Sequence, residues 1–261
     1  MSSDSLTGLH VLITRPTEQQ QALRESIESH SGKVLSLPLI EIQALQQGDA
    51  IQAITEQIQQ LGHYQILIFV SSNAAKFAGR LIADSWPQFP PGLSTIAVGP
   101  ATAKTLSLLL DVDIIQPGDG ATSEDLLKLS LLDDVGGKKI AIVRAQGGRE
   151  LLAETLRARG AQVDYLEAYR RTPVDYDASE FCQRLKTAGV NVLSVTSSEL
   201  LHRLQTMLAD NKEQMSLLPL LVPSERIALQ AREIGFAKVV NANGADPENF
   251  LRALELLASS N

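Results

Sequence analysis

FVSSNAAKF at Phe69–Phe77 returns as VTSSELLHR at Val195–Arg203, and this repeat decides the fold. Working outward, VLITRP (Val11–Pro16) returns as AIVRA (Ala141–Ala145). AVGPATA (Ala97–Ala103) returns more loosely as LVPSERI (Leu221–Ile227), and GDGATSEDLL (Gly118–Leu127) as NANGADPENFL (Asn241–Leu251). The steps from Arg15 to Arg144, Ser71 to Ser197 and Pro100 to Ser224 are 129, 126 and 124 residues, so one offset runs through the chain. The first three copies share one layout: an apolar run, a short polar or Gly/Pro turn, then helical spacing. That layout places each turn at the C-terminal end of a buried parallel strand, the edge where open α/β sheets bind ligands. Two such edges suggest two similar domains facing a shared cleft.

The 261 residues suffice for two domains of ordinary size. Strand and helix patterns alternate throughout. Ile66–Val70 is uniformly apolar, as in a strand covered on both faces. Glu18–His30 spaces Leu23 and Ile27 as a helix does, Ser71-Ser72-Asn73 can cap a helix from Ala74, and Thr122 to about Leu132 reads as one helix with acids in its first turn. Two extended segments, Pro38–Ile42 and Leu166–Pro173, read as crossings between domains. The predicted fold is α/β: two doubly wound parallel-sheet, flavodoxin-like domains with about five strands per sheet.

Composition excludes several function classes. The net charge of −7 and 4% aromatic content disfavour a nucleic-acid binder, which needs a basic footprint and stacking platforms. One cysteine, Cys182, leaves no intrachain disulfide and fits a reducing compartment. The start, MSSDSLTG, has no signal-peptide pattern, and the apolar runs are too short to span a bilayer, so a cytoplasmic protein is expected. The histidines His10, His30, His63 and His202 lack metal-ligand spacing, so no metal is expected. There is no G-x-G-x-x-G and no G-x-S-x-G, and Gly99–Thr105 lacks the second glycine of a phosphate loop.

The remaining candidates lie in the repeated turns. Ser71, Ser72 and Asn73, with Ser197 and Ser198, present hydroxyls and amides at helix starts, where they serve either as caps or as carboxylate ligands. Gly99-Pro100 opens a helix whose free amides attract an anion, or is a structural turn. Arg15 and Arg144 each follow a strand, where a guanidinium clamps a carboxylate or makes a surface ion pair. Gly147 and Gly148, ahead of Arg149, allow close backbone approach to a ligand. Tyr169, in the second crossing, either packs there or donates a proton in a cleft.

Together these segments resemble the uroporphyrinogen-III synthase family. The resemblance is carried by VLITRP, PLIEI (Pro38–Ile42), FVSSNAA, AVGPATA, GATSEDLL, the stretch from Val143 to Arg171, VTSSELL and VPSERI. It implies two α/β domains joined by a two-stranded linker, one of them discontinuous: residues 1–37 with 174–261, then 43–165, with crossings at 38–42 and 166–173. It implies a cofactor-independent lyase that closes the linear tetrapyrrole hydroxymethylbilane, inverts its last ring and expels its hydroxyl as water through an azafulvene cation and a spiro intermediate. Ser71, Ser72, Gly99, Pro100, Ser197, Ser198 and Ser224 would hold the substrate's carboxylates, Arg15, Arg144 and Arg149 would add charge, and Tyr169 would assist departure of the hydroxyl. Pro223-Ser224-Glu225 stands where the family often has Gly-Pro and a hydroxyl residue. A monomer is expected, since no helix has a uniformly apolar face. The alternatives are a non-catalytic two-domain small-anion binder and a tandem receiver-like module. The latter needs an acidic pocket where Arg15-Pro16 stands.

Overall fold

Strands and helices alternate, except that β3 follows β2 directly, in the computed structural model, which describes residues 4–45, 48–211, 213 and 216–259. Residues 1–3 of the polar start lie outside the described residues. The order is β1 (His10–Ile13), α1 (Gln21–Glu28), β2 (Lys33–Ser36), β3 (Ile40–Ala44), α2 (Asp49–Gln59), β4 (Ile66–Phe69), α3 (Ser72–Ser85), β5 (Ser94–Ala97), α4 (Pro100–Ser107), β6 (Ile114–Ile115), α5 (Ser123–Leu126), β7 (Lys139–Ala145), α6 (Leu151–Ala158), β8 (Gln162–Pro173), α7 (Ala178–Thr187), β9 (Leu193–Ser194), α8 (Ser198–Met207), β10 (Leu220–Val222), α9 (Glu225–Glu233), β11 (Val239–Asn241) and α10 (Pro247–Ala258). The chain divides into two units, Met1–Glu41 with Thr172–Asn261, and Ile42–Arg171.

In the continuous unit the strands lie in the order β3-β8-β7-β4-β5-β6, and those from β8 to β6 are parallel. Alternation explains why β4 and β7 are almost wholly apolar. Leu67, Phe69, Ala141 and Val143 face Ile54, Ile58, Ala78, Ile82 and Leu106 from α2, α3 and α4. Ile66, Ile68, Ile140 and Ile142 face Leu126, Leu152 and Leu156 from α5 and α6.

The discontinuous unit repeats this plan. β1 pairs with β2, and β9, β10 and β11 pair in turn, all parallel. A bridge from Val11 to Val192 and a 2.8 Å bond from the Leu12 amide to the Val192 carbonyl join β1 to the β9 side. The order is therefore β2-β1-β9-β10-β11. Leu12, Leu193, Val195, Leu220 and Val222 pack against α7, α8 and α9. Val11, Ile13, Val192 and Leu221 pack against Leu23 and Ile27 of α1 and Phe250 and Leu254 of α10.

The sequence repeat pairs β1 with β7, β4 with β9, β5 with β10 and β6 with β11. Under that pairing the two spatial orders agree strand for strand, β2-β1-β9-β10-β11 beside β8-β7-β4-β5-β6. The units are circular permutations of one plan. One begins at the strand carrying Arg15, the other at the strand before Ser71. In each, the strand order reverses at one point, between β1 and β9 or between β7 and β4, the position where open α/β sheets bind ligands at the carboxyl ends of their strands.

The long helix expected from Thr122 is shorter. α5 ends at Leu126, and a 3-10 turn follows at Ser130–Leu132. Bonds from Lys128 to Asp125, Leu129 to Leu126 and Leu132 to Leu129 close turns on either side of Leu129, whose extended backbone breaks the helix. Leu126 and Leu132 are buried in the core and Leu129 packs against it. Similarly, the helix expected from Glu18 opens with a 3-10 turn at Thr17–Gln19 before α1.

The seam of the discontinuous unit is reinforced by side chains. The Ser194 hydroxyl donates to the Leu12 carbonyl at 2.6 Å, and the Thr14 hydroxyl donates to the Ser194 carbonyl at 2.7 Å, both buried. Ser194→Ala should therefore lower stability by about 1–3 kcal/mol, since it strips a buried acceptor of this donor. Urea unfolding of wild type and variant reads this difference. A variant within about 0.3 kcal/mol of wild type would show that the seam does not depend on this bond.

Candidate active site

In the continuous unit a cavity of about 220 Å³ opens where the order reverses. Val70 and Ser71 line it from the end of β4, Arg144 to Arg149 from the end of β7, Tyr165, Tyr169 and Arg171 from β8, and Ser123 from α5. Ser71 is the N-cap of α3, and its hydroxyl accepts from the Ala74 amide at 3.0 Å. The same oxygen lies 3.1 Å from the Tyr169 hydroxyl. The Tyr169 ring is buried and stacks on Phe77, with centroids 5.6 Å apart and planes at 27°.

Tyr169 reaches Ser71 because of a register slip. β8 pairs Arg144 with Glu167 and then Ala145 with Tyr169, so Ala168 is one residue extra. Strict alternation from Leu166 would put Tyr169 on the opposite face, beside α5 and α6. The bulge brings it to the face of Leu166, Ala145 and Phe77 instead.

Arg144 is nearly inaccessible, at 5% exposure. Its Nη1 donates to Glu150 Oε1 at 3.0 Å, its Nη2 donates to the Gly147 carbonyl, and its guanidinium lies 4.5 Å over the Tyr165 ring. The Tyr165 hydroxyl donates to the other Glu150 oxygen. That hydrogen bond and the Arg144 contact hold the Glu150 carboxyl below its usual range, while burial and Glu150 push the Tyr165 phenol up. Gly147 and Gly148 have φ of +69° and +110°. A Cβ on Gly148 would sit 2.7 Å from Arg144 Nη2, so this position needs glycine for space as well as conformation. Arg149 is exposed and lies 3.7 Å from Glu124.

Thus Ser71, Arg144, Gly147, Gly148, Arg149 and Tyr169 share one cavity. Ser72 and Asn73 lie in the first turn of α3, outside its lining. Gly99 caps α4 and Pro100 is its first residue, at the end of β5. A Cβ on Gly99 would meet the Ala121 Cβ at 2.7 Å, so close packing of the next loop accounts for this glycine. Sequence reasoning did not single out Ser123, Glu150 and Tyr165. An acid at the start of the helical pattern Glu150–Arg159, six residues beyond Arg144, was the available signal for Glu150.

The discontinuous unit carries the matching residues at the ends of its own strands. Arg15, after β1, is buried at 8% exposure, donates to the Ala245 carbonyl at 3.2 Å and lies 5.4 Å from the Phe250 ring centroid. Burial lowers its pKa, and Asp246 opposes that shift. Ser197 caps α8 by accepting from the Leu200 amide at 3.2 Å. The Ser198 hydroxyl donates to Gln230 at 2.7 Å and accepts from Arg226 at 3.1 Å. Ser224 is the N-cap residue of α9, without a side-chain capping bond. Among the described residues no group of three or more His, Cys, Asp or Glu side chains is arranged to hold a metal ion.

The comparisons with known proteins agree with one another. A family model described as uroporphyrinogen-III synthase HemD matches residues 21–252. The uroporphyrinogen-III synthase of Salmonella typhimurium (strain LT2) is 36% identical over 249 residues, 95% of this chain and 100% of that one. That of Escherichia coli (strain K12) is 34% identical over 252 residues, again 95% and 100%. Among solved structures, a mutant uroporphyrinogen III synthase from the extremely thermophilic bacterium Thermus thermophilus superposes with a TM-score of 0.63 at 17% identity, covering 97% of this chain and 99% of that one. Uroporphyrinogen-III synthetase from Helicobacter pylori 26695 does so at 0.54 and 16%, covering 97% and 99%. At those identities the two structures bear on the fold, and it is the α/β fold described above. The sequence relatives and the family model carry the assignment: this chain belongs to the uroporphyrinogen-III synthase family.

Proposed function

We propose that this chain is a uroporphyrinogen-III synthase, closing hydroxymethylbilane with inversion of the last ring and loss of water. The observation that carries the reading is the Ser71–Tyr169 hydroxyl pair at the strand-order reversal, in a chain that matches its named relatives over 95% of its length.

Tyr169 donates a proton to the departing hydroxyl, the C–O bond breaks, and water leaves. A pyrrole nitrogen of the substrate supplies the electrons, giving the azafulvene cation, and the departing water carries away the C–O pair, so no outside electron source is needed. Ring closure through the spiro intermediate releases one proton, which restores the phenol. Ser71 fixes the phenol's orientation, and Phe77 packs its ring. The enzyme's larger task is geometric. The free bilane closes spontaneously to the type I isomer, and holding it in the folded shape favours the spiro route by proximity.

The substrate's carboxylates are assigned to Arg15, Arg144 and Arg149, to the amides and hydroxyls at Ser71, Ser72, Asn73, Ser197, Ser198 and Ser224, and to the backbone at Gly99, Pro100, Gly147 and Gly148. Local donors of this kind hold an anion on a chain whose net charge is −7. The reading takes residues 1–37 with 174–261 and residues 43–165 as the two domains, and the protein as a cytoplasmic monomer without cofactor. Its one cysteine, Cys182, is buried and supports a reducing compartment. Among the described residues no helix is long and apolar enough to cross a membrane.

Freshly prepared hydroxymethylbilane, mixed with the protein and resolved into isomers, should give type III; type I alone would favour the anion binder. Tyr169→Phe should cut type III formation by about 100-fold, the lower end of a lost proton donor. Unchanged turnover in that variant would remove Tyr169 from the acid role. Ser71→Ala should lower kcat by about two- to tenfold, through loss of one hydrogen bond to the phenol. An effect of Ser71→Ala on KM alone would instead place Ser71 among the carboxylate ligands.

A further inference from the structure

The Arg144 guanidinium is already occupied by a carboxylate. Glu150 takes Nη1, the Gly147 carbonyl takes Nη2, and Tyr165 covers the cation's face. The two partners differ in burial: the Arg144 side chain is 6% exposed and that of Glu150 is 48%. Glu150 stands just before α6, so its carboxylate lies at a helix start beside the reversal of strand order, where an anionic ligand is expected. Both its oxygens are used, one by Arg144 and one by Tyr165. Between Arg144 and Glu150 the chain carries Gly147 and Gly148, residues whose backbone has more accessible conformations than any other.

We propose that Glu150 is an internal stand-in for a substrate carboxylate, held on Arg144 until an acid group of the tetrapyrrole displaces it. The inference rests on the synthase reading above and adds the regulation of that same cavity. A ligand then binds only the fraction of molecules in which Arg144 has released Glu150, and its apparent affinity falls by that fraction. Tyr165 belongs to the device: its hydroxyl holds the displaceable acid, and its ring keeps the guanidinium in place for either carboxylate. A purely positioning role for Glu150 gives the opposite sign, because removing it would let Arg144 wander and weaken binding.

The test compares wild type with Glu150→Gln, by KM and kcat for type III formation from hydroxymethylbilane and by Kd for the octacarboxylate uroporphyrin III, read from its fluorescence. The stand-in predicts that KM and Kd both fall by about three- to tenfold with kcat unchanged. Tyr165→Phe, which releases one Glu150 oxygen and keeps the charge, should move both constants the same way by less. In an Arg144→Gln background, Glu150→Gln should have no effect. Constants equal to or above wild type in Glu150→Gln overturn the proposal. If that variant does not fold, as judged by circular dichroism, Tyr165→Phe decides it by the same signs. A wild type that yields only type I product sinks the synthase reading, while the uroporphyrin Kd still decides whether Glu150 competes for Arg144.

Discussion

One extra residue in a strand sets where the proposed acid group of this molecule stands. β8 would otherwise carry Tyr169 to the face occupied by Tyr165 and Glu167, away from Ser71. The slip at Ala168 turns the phenol over, and the 3.1 Å hydroxyl contact and the Phe77 stack both follow from it. A bulge interrupts the hydrogen-bond ladder locally, and it persists here because Ala168 and Tyr169 both bury against the core on the face they share. Packing therefore holds the irregularity that the proposed acid group needs.

Beneath that detail lies a plan used twice. The two sheets have the same strand order although the chain enters them at different strands. Each needs apolar residues on both faces, and each keeps its polar residues for the strand ends. An arginine follows the equivalent strand in both, Arg15 after β1 and Arg144 within the end of β7, and both are buried. Their surroundings differ. Arg144 is closed off by Glu150, whereas Arg15 lies near Asp246, which is itself bonded to the Asn249 amide at the start of α10. Similar sequence thus produces two arginines in unlike electrostatic settings.

Much of this was legible in the chain alone. The uniform apolar run at Ile66–Val70 marked a buried parallel strand because a sheet covered on both faces leaves no polar side. The caps at Ser71, Ser197 and Thr122 could be read because a helix start leaves amides that only a few short side chains satisfy. The bulge at Ala168 could not be read, since a one-residue slip changes facing without changing composition. Nor could the premature end of α5, where the chain breaks at an extended Leu129 that packs against the core. The Arg144–Glu150–Tyr165 cluster joins groups up to 21 residues apart through a left-handed glycine turn, and local spacing says nothing of that closure.

The permuted plan also bears on how the chain is made. Ile42–Arg171 is uninterrupted, so its sheet has every strand available once that stretch has left the ribosome. The segment from β1 to β2 emerges first but meets its partner at Val192 only after the whole of that insertion has been synthesised. Until then Val11, Ile13, Leu23 and Ile27 have no opposing layer from their own unit beyond α1. Residues made ahead of the insertion therefore wait for chain made after it before their own sheet is complete.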